Sequence, residues 1–387
     1  MDFDLTEEQA AFRDIVRRWV NAELPKDLMR KLEADEENYP FPIWEKLKEQ
    51  GFFGIGIPEE YGGLGGDVIM QMIFAREMAR TAGGLLWVWG LTSFGGAKLL
   101  TVAGTEEQRQ KWLPQMAAGN LRVSLSMTEP GGGTDVLGAM QTFADKVDGG
   151  WLINGAKMWT TGAKAADKLL LLARSDRQAE KKHHGLTAFF VDAKAPGITS
   201  TLLPKLGMRG MGSCSVIYDN VFVPDSDVLG EPHQAWKAML PSLNNERIMV
   251  GAQCLGSIDG ILEDALDYMK QRQAFGRPIG QFQILQHYAA DIATSQKLVE
   301  LLLYNVAWMQ AKGLPCGNEA NMLKMVATER AVEAADLGIQ IMGGMGYSTE
   351  TDMQRYWRDL RILRMTPISN EMVRNTIAEN LGLPRSF

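Results

Sequence analysis

The chain has 387 residues, of which 45% are hydrophobic and 22% charged, and its formal net charge is −7. This composition is typical of a globular protein, and the acidic balance argues against a nucleic acid or an anionic membrane surface as the main partner. We find no apolar run of about 18 residues that would span a membrane and no signal peptide. Three widely spaced cysteines predict free buried thiols in the cytoplasm, and four histidines without ligand spacing argue against a metal enzyme.

Helical patterns dominate residues 1–120, which we expect to form an N-terminal helical domain. Thr6-Glu-Glu-Gln9 and Thr105-Glu-Glu-Gln108 are capping boxes, which are typical of helix starts. Helical periodicity also covers Pro42–Gln50 and Val68–Arg80.

The pattern changes over residues 121–232, which predict an antiparallel β domain. Alternating apolar runs at Lys168–Leu172, Leu186–Val191 and Val216–Val223 predict strands. Asp148-Gly-Gly150 predicts a hairpin turn between two further strands.

Residues 233–387 return to helical periodicity and predict a C-terminal four-helix bundle. Long helices are expected at Glu246–Gln273, Gln283–Lys312 and Asn318–Gln340. Because helices and strands are segregated rather than alternating, the predicted fold class is α+β.

The most informative stretch runs from Met127 to Thr161. Met127-Thr-Glu-Pro-Gly-Gly-Gly-Thr-Asp135 is a Pro- and Gly-rich loop that can press bare backbone and hydroxyls against a flat polar ligand. It matches neither a P-loop nor the GxGxxG fingerprint, and an ordinary turn is the alternative interpretation. Trp159-Thr-Thr161 adds a π face and two hydroxyls. A flavin ring needs both, for stacking and for hydrogen bonds to its polar edge.

Two further constellations lie in the C-terminal part. Glu246-Arg247 is expected at the start of a long helix, where a carboxylate entering an apolar cleft would have a raised pKa suited to removing a weakly acidic proton. Arg272 and Phe275, in the turn after that helix, could clamp a pyrophosphate and cover an adenine. Gln340–Tyr347 is rich in glycine and allows close backbone approach to a ligand. Ordinary helix starts and stops are the alternative interpretation.

All three constellations, in this order and spacing, resemble the acyl-CoA dehydrogenase family, and the resemblance covers the whole chain. It is nearest to the bacterial carnitine-related and fatty-acid branch. The resemblance implies a FAD enzyme that oxidises an acyl-CoA thioester to its trans-2-enoyl-CoA, with a carboxylate removing the α-proton while a hydride passes to flavin N5. It also implies electron-transferring flavoprotein as electron acceptor, and a homotetramer in which each FAD lies partly across a subunit interface.

The resemblance also assigns binding residues by position. Those implied to hold the flavin and ribityl part are Met127, Thr128, Gly133, Thr134, Trp159 and Thr161. Those implied to hold the ADP part, from a neighbouring subunit, are Arg272, Phe275, Gln340, Gly343 and Gly344. Arg247 is expected near the CoA portion. Trp87 and Trp89 are expected to line and shorten the acyl pocket, favouring a short, branched or flat acyl group, unless one or both pack in the core.

The catalytic base of the family occupies one of two positions. The commoner position is Pro367 here, followed by Ile368. Proline cannot abstract a proton, and it lacks the backbone N–H that in the family helps polarise the thioester carbonyl. Losing one such donor typically costs about 10²–10³ in rate. We therefore assign the base to Glu246, the second position, with Glu371 as the other candidate.

Three alternatives to dehydrogenation stay open on the sequence. The same residues serve the reverse reaction, an enoyl-CoA reductase. The flavin site also suits a non-redox acyl-CoA lyase or desulfinase. Pro367 and Ile368 leave room for a non-catalytic partner subunit that completes a neighbour's site.

Overall fold

The computed structural model describes residues 5–35 and 37–385 of the chain. A helical N-terminal part leads into a central sheet, and a C-terminal helical part follows, which confirms the predicted α+β class. The helices are α1 (Glu7–Glu23), α2 (Lys26–Ala34), α3 (Phe41–Glu49), α4 (Val68–Ala82), α5 (Trp87–Trp89), α6 (Ala97–Ala103), α7 (Glu106–Ala117), α8 (Ala235–Gln271), α9 (Gln283–Ala311), α10 (Gly317–Met342), α11 (Gly344–Tyr347), α12 (Met353–Arg361) and α13 (Asn370–Asn380).

Both predicted capping boxes are present. The Thr6 hydroxyl accepts a hydrogen bond from the Gln9 backbone N–H at 3.2 Å, and the Gln9 side chain accepts from the Thr6 N–H at 3.1 Å. The same reciprocal pair opens α7 at Thr105 and Gln108. Each box satisfies two backbone N–H groups that a helix start otherwise leaves without partners.

The start of α8 differs from the prediction. The helix begins at Ala235, about three turns before Glu246, and its backbone stays helical through Pro241 although proline usually interrupts a helix. Glu246 and Arg247 therefore lie inside the helix and not at its beginning. The helix dipole, whose effect falls off within the first turn, does not explain a glutamate at this position.

The strands form one large sheet and one small hairpin. They are β1 (Val123–Ser126), β2 (Phe143–Val147), β3 (Gly150–Thr161), β4 (Lys168–Arg174), β5 (Leu186–Asp192), β6 (Ile198–Leu203), β7 (Ser213–Pro224), β8 (Val228–Leu229), β9 (Gln273–Ala274) and β10 (Arg277–Pro278). The large sheet has the order β6-β7-β3-β2-β4-β5-β8, and β9 pairs with β10. The predicted hairpin at Asp148–Gly150 joins β2 to β3.

The sequence predicted a purely antiparallel sheet, but the large sheet is mixed. β1 pairs with β4 in parallel, from Val123 opposite Lys168 to Ser126 opposite Leu171. A parallel pair needs a crossover connection rather than a tight turn. Here the chain leaves β1 through a long loop and the β2–β3 hairpin before β4, so local turn signals did not reveal the pairing.

The stretch Val68–Ala103 is one continuous helical run that contains α4, α5 and α6. By length and composition it is apolar enough to cross a membrane, with a mean hydropathy of 1.3 over its most apolar window, but 72% of that window is buried inside the protein. The run was not predicted from the sequence, because charged residues interrupt its first half. Those charges are paired: Arg76 contacts Asp259 of α8 at 2.7 Å.

Close packing of α4 on α8 depends on two glycines. A Cβ on Gly256 would lie 2.1 Å from the Arg76 carbonyl oxygen, and one on Gly260 would lie 2.3 Å from the Arg80 carbonyl oxygen. Such distances are far shorter than van der Waals contact, so only glycine lets the two helices approach this closely. The approach brings the segment that follows α4 against the middle of α8.

Candidate active site

Trp159 is the residue of β3 that departs most from regular strand geometry. Its φ is 61°, a left-handed conformation that is unusual for a bulky residue. The pairing with β7 shifts register between Lys157 and Thr160, and the Trp159 side chain is 53% exposed. Strained conformations of this kind cost about 1–3 kcal/mol and gather at ligand sites. The strand thus presents a flat aromatic surface outward.

A buried ion pair holds the loop that precedes β2. The Lys157 ammonium lies 2.9 Å from a Glu129 carboxylate oxygen and donates to the Met127 carbonyl oxygen at 2.9 Å. Glu129 also accepts hydrogen bonds from the backbone N–H groups of Gln141 and Thr142, at 2.6 and 2.9 Å. One carboxylate therefore ties together the two ends of the loop.

The pKa values of this pair follow from their burial and mutual attraction. Burial lowers the pKa of Lys157 to about 8, against the opposing effect of Glu129. Burial would raise the pKa of Glu129, but the Lys157 charge and the backbone donors outweigh it and hold that pKa below its usual value. Both residues lie inside the Met127–Thr161 stretch, but the sequence predicted no role for them, because nothing local indicates that they pair.

The residues assigned to the flavin lie on this loop and on β3. The Met158 N–H donates to the Thr128 carbonyl at 2.8 Å, and the Thr161 hydroxyl lies 3.2 Å from that of Ser213. Gly133 is exposed, and a Cβ added there would meet nothing within 4 Å. The six assigned residues are thus on two connected elements: four near the Lys157 anchor, and Gly133 and Thr134 on the exposed part of the loop.

A short π-helical segment, Gly90–Gly96, packs against β1, the strand that precedes the Met127–Asp135 loop. The Thr92 hydroxyl accepts from the Val123 N–H of β1 at 3.1 Å, and a Cβ on Gly96 would lie 2.9 Å from the Val123 side chain. Just before this segment, the Trp87 indole N–H donates to the Gln253 side chain of α8 at 3.0 Å. The helical stretch from Trp87 to Gly96 therefore contacts both β1, which leads into the Met127–Asp135 loop, and the helix that carries Glu246. Such π-helical turns often mark functional sites.

Only one of the two tryptophans assigned to the acyl pocket is placed for that role. Trp89 is 1% exposed, donates its indole N–H to the Phe52 carbonyl at 3.0 Å and packs 4.8 Å from the Phe74 ring. It belongs to the core, which corrects its assignment to the substrate site. Trp87 is half-buried and contacts α8, so it remains a candidate wall residue.

Glu246 is a half-buried carboxyl in the interior of α8. Burial raises its pKa to about 7, and the charge of the adjacent Arg247 opposes the shift. Burial lowers the pKa of Arg247, whose guanidinium donates to Asn244 at 3.3 Å. The Arg247 Nε atom is buried without an acceptor among the described residues. A carboxyl with a pKa close to neutral is matched to taking and giving a proton at physiological pH.

Glu371, the other candidate base, has the opposite electrostatic environment. It is exposed in the first turn of α13, and hydrogen bonds from its own backbone N–H and from Ser369 hold its pKa below the usual value. A carboxylate stabilised in this way is a weaker base than Glu246.

The loop between α12 and α13 is anchored from α10. The Lys324 ammonium, fully buried, donates to the Asn370 side chain at 2.6 Å and to the Arg364 carbonyl at 3.4 Å. Burial lowers the pKa of Lys324 to about 8. Between these two contacts lies Pro367, whose peptide bond to Thr366 is cis. Lys324 and Asn370 were not identified from the sequence, since their pairing links residues far apart in the chain.

The residues assigned to the ADP part lie at the ends of α8 and α10. Arg272 follows α8, and Phe275, at the tip of the β9–β10 hairpin, is 95% exposed with a φ of 51°. Gln340, Gly343 and Gly344 are exposed at the junction of α10 and α11. A helix rises 1.5 Å per residue, which puts Arg272 about 39 Å from Glu246 along α8. The structure thus keeps Arg272 well away from Glu246 of the same chain.

Three family profiles together match most of the chain. The N-terminal domain of acyl-CoA dehydrogenase matches residues 6–120, the middle domain 124–221 and the C-terminal domain 234–382. The chain belongs to the acyl-CoA dehydrogenase family. It is therefore an oxidoreductase that acts on the CH–CH group of an acyl-CoA, with FAD as cofactor.

Relatives and solved structures of the family match over nearly their full length. An acyl-CoA dehydrogenase of Bacillus subtilis (strain 168) is 34% identical over 380 residues, covering 97% of this chain and 98% of that protein. The caffeyl-CoA reductase-Etf complex subunit CarC of Acetobacterium woodii is 33% identical over 359 residues, covering 92% and 93%. The structure of butyryl-CoA dehydrogenase from Megasphaera elsdenii superimposes with a TM-score of 0.92 at 30% identity, covering 99% of this chain and all (100%) of that chain.

The residues present fit the cofactor of the family. Trp159 offers an exposed aromatic face, Thr161 carries a hydroxyl two residues along β3, and Thr128 carries another on the loop segment that pairs with Met158. The Met127 and Thr128 backbone is held in place by Lys157 and Met158. Stacking and edge hydrogen bonding of a planar polar ring are the interactions that such a set can make.

Proposed function

We propose that this protein catalyses the α,β-dehydrogenation of an acyl-CoA thioester to trans-2-enoyl-CoA, with Glu246 as the base that removes the α-proton. The observation that carries the proposal is the half-buried Glu246 carboxyl with a pKa of about 7. FAD, when bound, would accept the β-hydride at flavin N5. Pro367 occupies the other position of the family base and cannot act as one.

We expect Glu246 to work as a proton acceptor whose strength comes from its surroundings. Burial makes the charged form costly, so the carboxylate gains more by taking a proton than an exposed glutamate would. Arg247 limits this effect and keeps about half of the carboxyl groups ionised near neutral pH. We also propose that the Arg247 guanidinium, whose buried Nε has no acceptor within the described parts of the chain, contacts the CoA portion of the substrate.

Polarisation of the thioester carbonyl needs a donor other than residue 367. The backbone N–H of Ile368 has no acceptor in the part of the chain that the structure describes. It adjoins Pro367 in a loop that Lys324 holds through Asn370 and the Arg364 carbonyl. We propose that this N–H takes the role that Pro367 cannot fill. Preorganised donors of this kind typically supply about 10²–10³ in rate.

We further propose a homotetramer in which the ADP part of each FAD is held by a second subunit. The distance of about 39 Å along α8 between Glu246 and Arg272 supports this arrangement, because one cofactor cannot contact both in the same chain. Phe275 is almost fully exposed, as expected of a side chain that covers a ligand of another subunit. α9 also exposes apolar side chains suited to a subunit contact, namely Ile284, Leu298, Leu301 and Trp308.

The redox partner and the direction of the reaction follow from the relatives by analogy. The similarity to a subunit of a caffeyl-CoA reductase-Etf complex supports electron-transferring flavoprotein as the partner of this chain. The same similarity makes the reductase direction the second candidate function, since the proposed base would then return a proton to the α-carbon. We place the protein in the cytoplasm, where the three buried free cysteines would stay reduced.

The test is anaerobic mixing of the FAD-loaded protein with a panel of acyl-CoAs while flavin absorbance is recorded. Bleaching of the flavin by at least one saturated acyl-CoA, with formation of the 2-enoyl product, is the expected result. If only enoyl-CoAs oxidise the chemically reduced protein, the reductase direction replaces the proposal. A flavin that no acyl-CoA reduces or reoxidises contradicts both directions and favours a non-redox lyase or desulfinase. Failure to take up FAD at all favours a non-catalytic subunit.

A further inference from the structure

Gln253 of α8 carries a buried amide nitrogen that has no hydrogen-bond acceptor among the described residues. The side chain is 0% exposed, and its carbonyl oxygen accepts from the Trp87 indole N–H at 3.0 Å. Because an indole N–H is a donor only, this contact fixes which end of the amide faces Trp87. The amide nitrogen, with its two hydrogens, is therefore left for another partner. Buried polar groups are nearly always paired, so an exception calls for an explanation.

A second unpaired group lies one turn further along α8. The Ser257 hydroxyl is buried, at 1% exposure, and it too has no partner within the described parts of the chain. Residues four apart on a helix are neighbours on its surface. Gln253 and Ser257 thus form a small polar patch inside an otherwise apolar interior.

This patch lies on the same face of α8 as Glu246. Residues 246, 250, 253 and 257 recur at helical spacing, and Gln253 is two turns from Glu246, about 10 Å along the axis. Val250, between them, is apolar and buried. An acyl chain that starts at Glu246 and follows the helix would meet an apolar surface first and the polar patch afterwards. An extended chain advances about 1.3 Å per C–C bond, so about 10 Å corresponds to roughly seven or eight bonds.

We propose that Gln253, assisted by Ser257, selects acyl-CoA substrates that carry a neutral hydrogen-bond acceptor, such as a carbonyl oxygen, roughly seven bonds beyond the α-carbon. This inference rests on the proposed function, because it takes Glu246 as the position of the α-carbon. The acceptor is neutral since neither Gln253 nor Ser257 carries a charge, and a buried carboxylate without a counter-charge is strongly disfavoured. Trp87, which holds the Gln253 amide, forms the flat wall beside it.

The test compares decanoyl-CoA with 9-oxodecanoyl-CoA, whose second carbonyl would reach Gln253, and with 6-oxodecanoyl-CoA, whose second carbonyl would lie beside Val250. Flavin bleaching gives kcat/KM, and the flavin absorbance change on binding gives Kd in the FAD-loaded protein. The wild type should prefer the 9-oxo substrate by about 5- to 10-fold over decanoyl-CoA, the effect of one net hydrogen bond. The 6-oxo substrate should show no such preference.

Gln253→Leu replaces the amide with an apolar side chain of similar volume and removes both polar atoms, so it should bring the preference for the 9-oxo substrate close to 1. Ser257→Ala should reduce it in part, and Val250→Ala, on the same face, should change all three substrates alike. Equal affinity of the wild type for decanoyl-CoA and 9-oxodecanoyl-CoA would overturn the inference, as would an unchanged preference in Gln253→Leu. Because Kd is read without turnover, a protein that binds selectively but never bleaches contradicts the proposed function and not the selectivity.

Discussion

The rate of flavin reduction should follow the ionisation of Glu246. Its pKa of about 7 means that the carboxylate, the only form that accepts a proton, is fully present only above neutral pH. Below pH 7 the ionised fraction falls about tenfold per pH unit, so at pH 5 we expect roughly one hundredth of the plateau rate. Glu371 predicts a different profile, because its pKa lies below the ordinary value for glutamate.

Stopped-flow measurement of flavin bleaching between pH 5 and pH 9, at acyl-CoA concentrations well below saturation, tests this dependence, because the second-order rate follows the pKa of the free enzyme. The profile should rise with unit slope and level off above pH 7. The matched control is Glu371→Gln, whose profile should be the same as that of the wild type. A wild-type rate that stays constant down to pH 5 would refute the assignment, because it would require a base that is ionised throughout this range.

Three further predictions concern the apoprotein, the loop anchor and the carbonyl donor. Because its pKa is raised in the folded chain, Glu246 holds its proton more tightly there than in the unfolded chain. The free energy of unfolding of the protein should therefore fall by about 3 kcal/mol as pH rises from 4.5 to about 7. In urea titrations, Glu246→Gln should remove this pH dependence. Lys157→Met leaves Glu129 buried without its partner, so it should lower the free energy of unfolding by about 3–5 kcal/mol and weaken FAD binding. Lys164→Met, at an exposed lysine, should change neither quantity. Ile368→Pro removes the proposed donor and should lower kcat by about 10²–10³, while Ile368→Ala keeps the N–H and should retain most of the rate; equal losses would refute that role.

The features that could be predicted from the sequence are those set by residues close together in the chain. The capping boxes at Thr6 and Thr105 and the hairpin between β2 and β3 depend on a few neighbouring residues, and the structure confirms them. The parallel pairing of β1 with β4 joins segments separated by a hairpin, so no local signal specifies it. The early start of α8 also escaped prediction, because Pro241 usually marks an interruption.

The candidate site shows the same division. Residue types and order, together with the family resemblance, were the basis for predicting a flavin site at Met127–Thr161 and for proposing Glu246 rather than Pro367 as the base. The left-handed backbone of Trp159, which exposes its ring, depends on a register shift against β7. Whether Trp87 or Trp89 faced the core depended on contacts with Phe52 and α8 that periodicity does not encode. Tertiary packing decided each of these points.

The most direct test of the central claim is single-turnover flavin reduction in Glu246→Gln, with Glu371→Gln measured beside it under the same anaerobic conditions. Both variants should bind FAD and acyl-CoA. The account predicts that Glu246→Gln loses bleaching by several orders of magnitude and that Glu371→Gln bleaches nearly as fast as the wild type. Normal bleaching in Glu246→Gln with loss in Glu371→Gln would contradict it and move the base to the loop after Pro367.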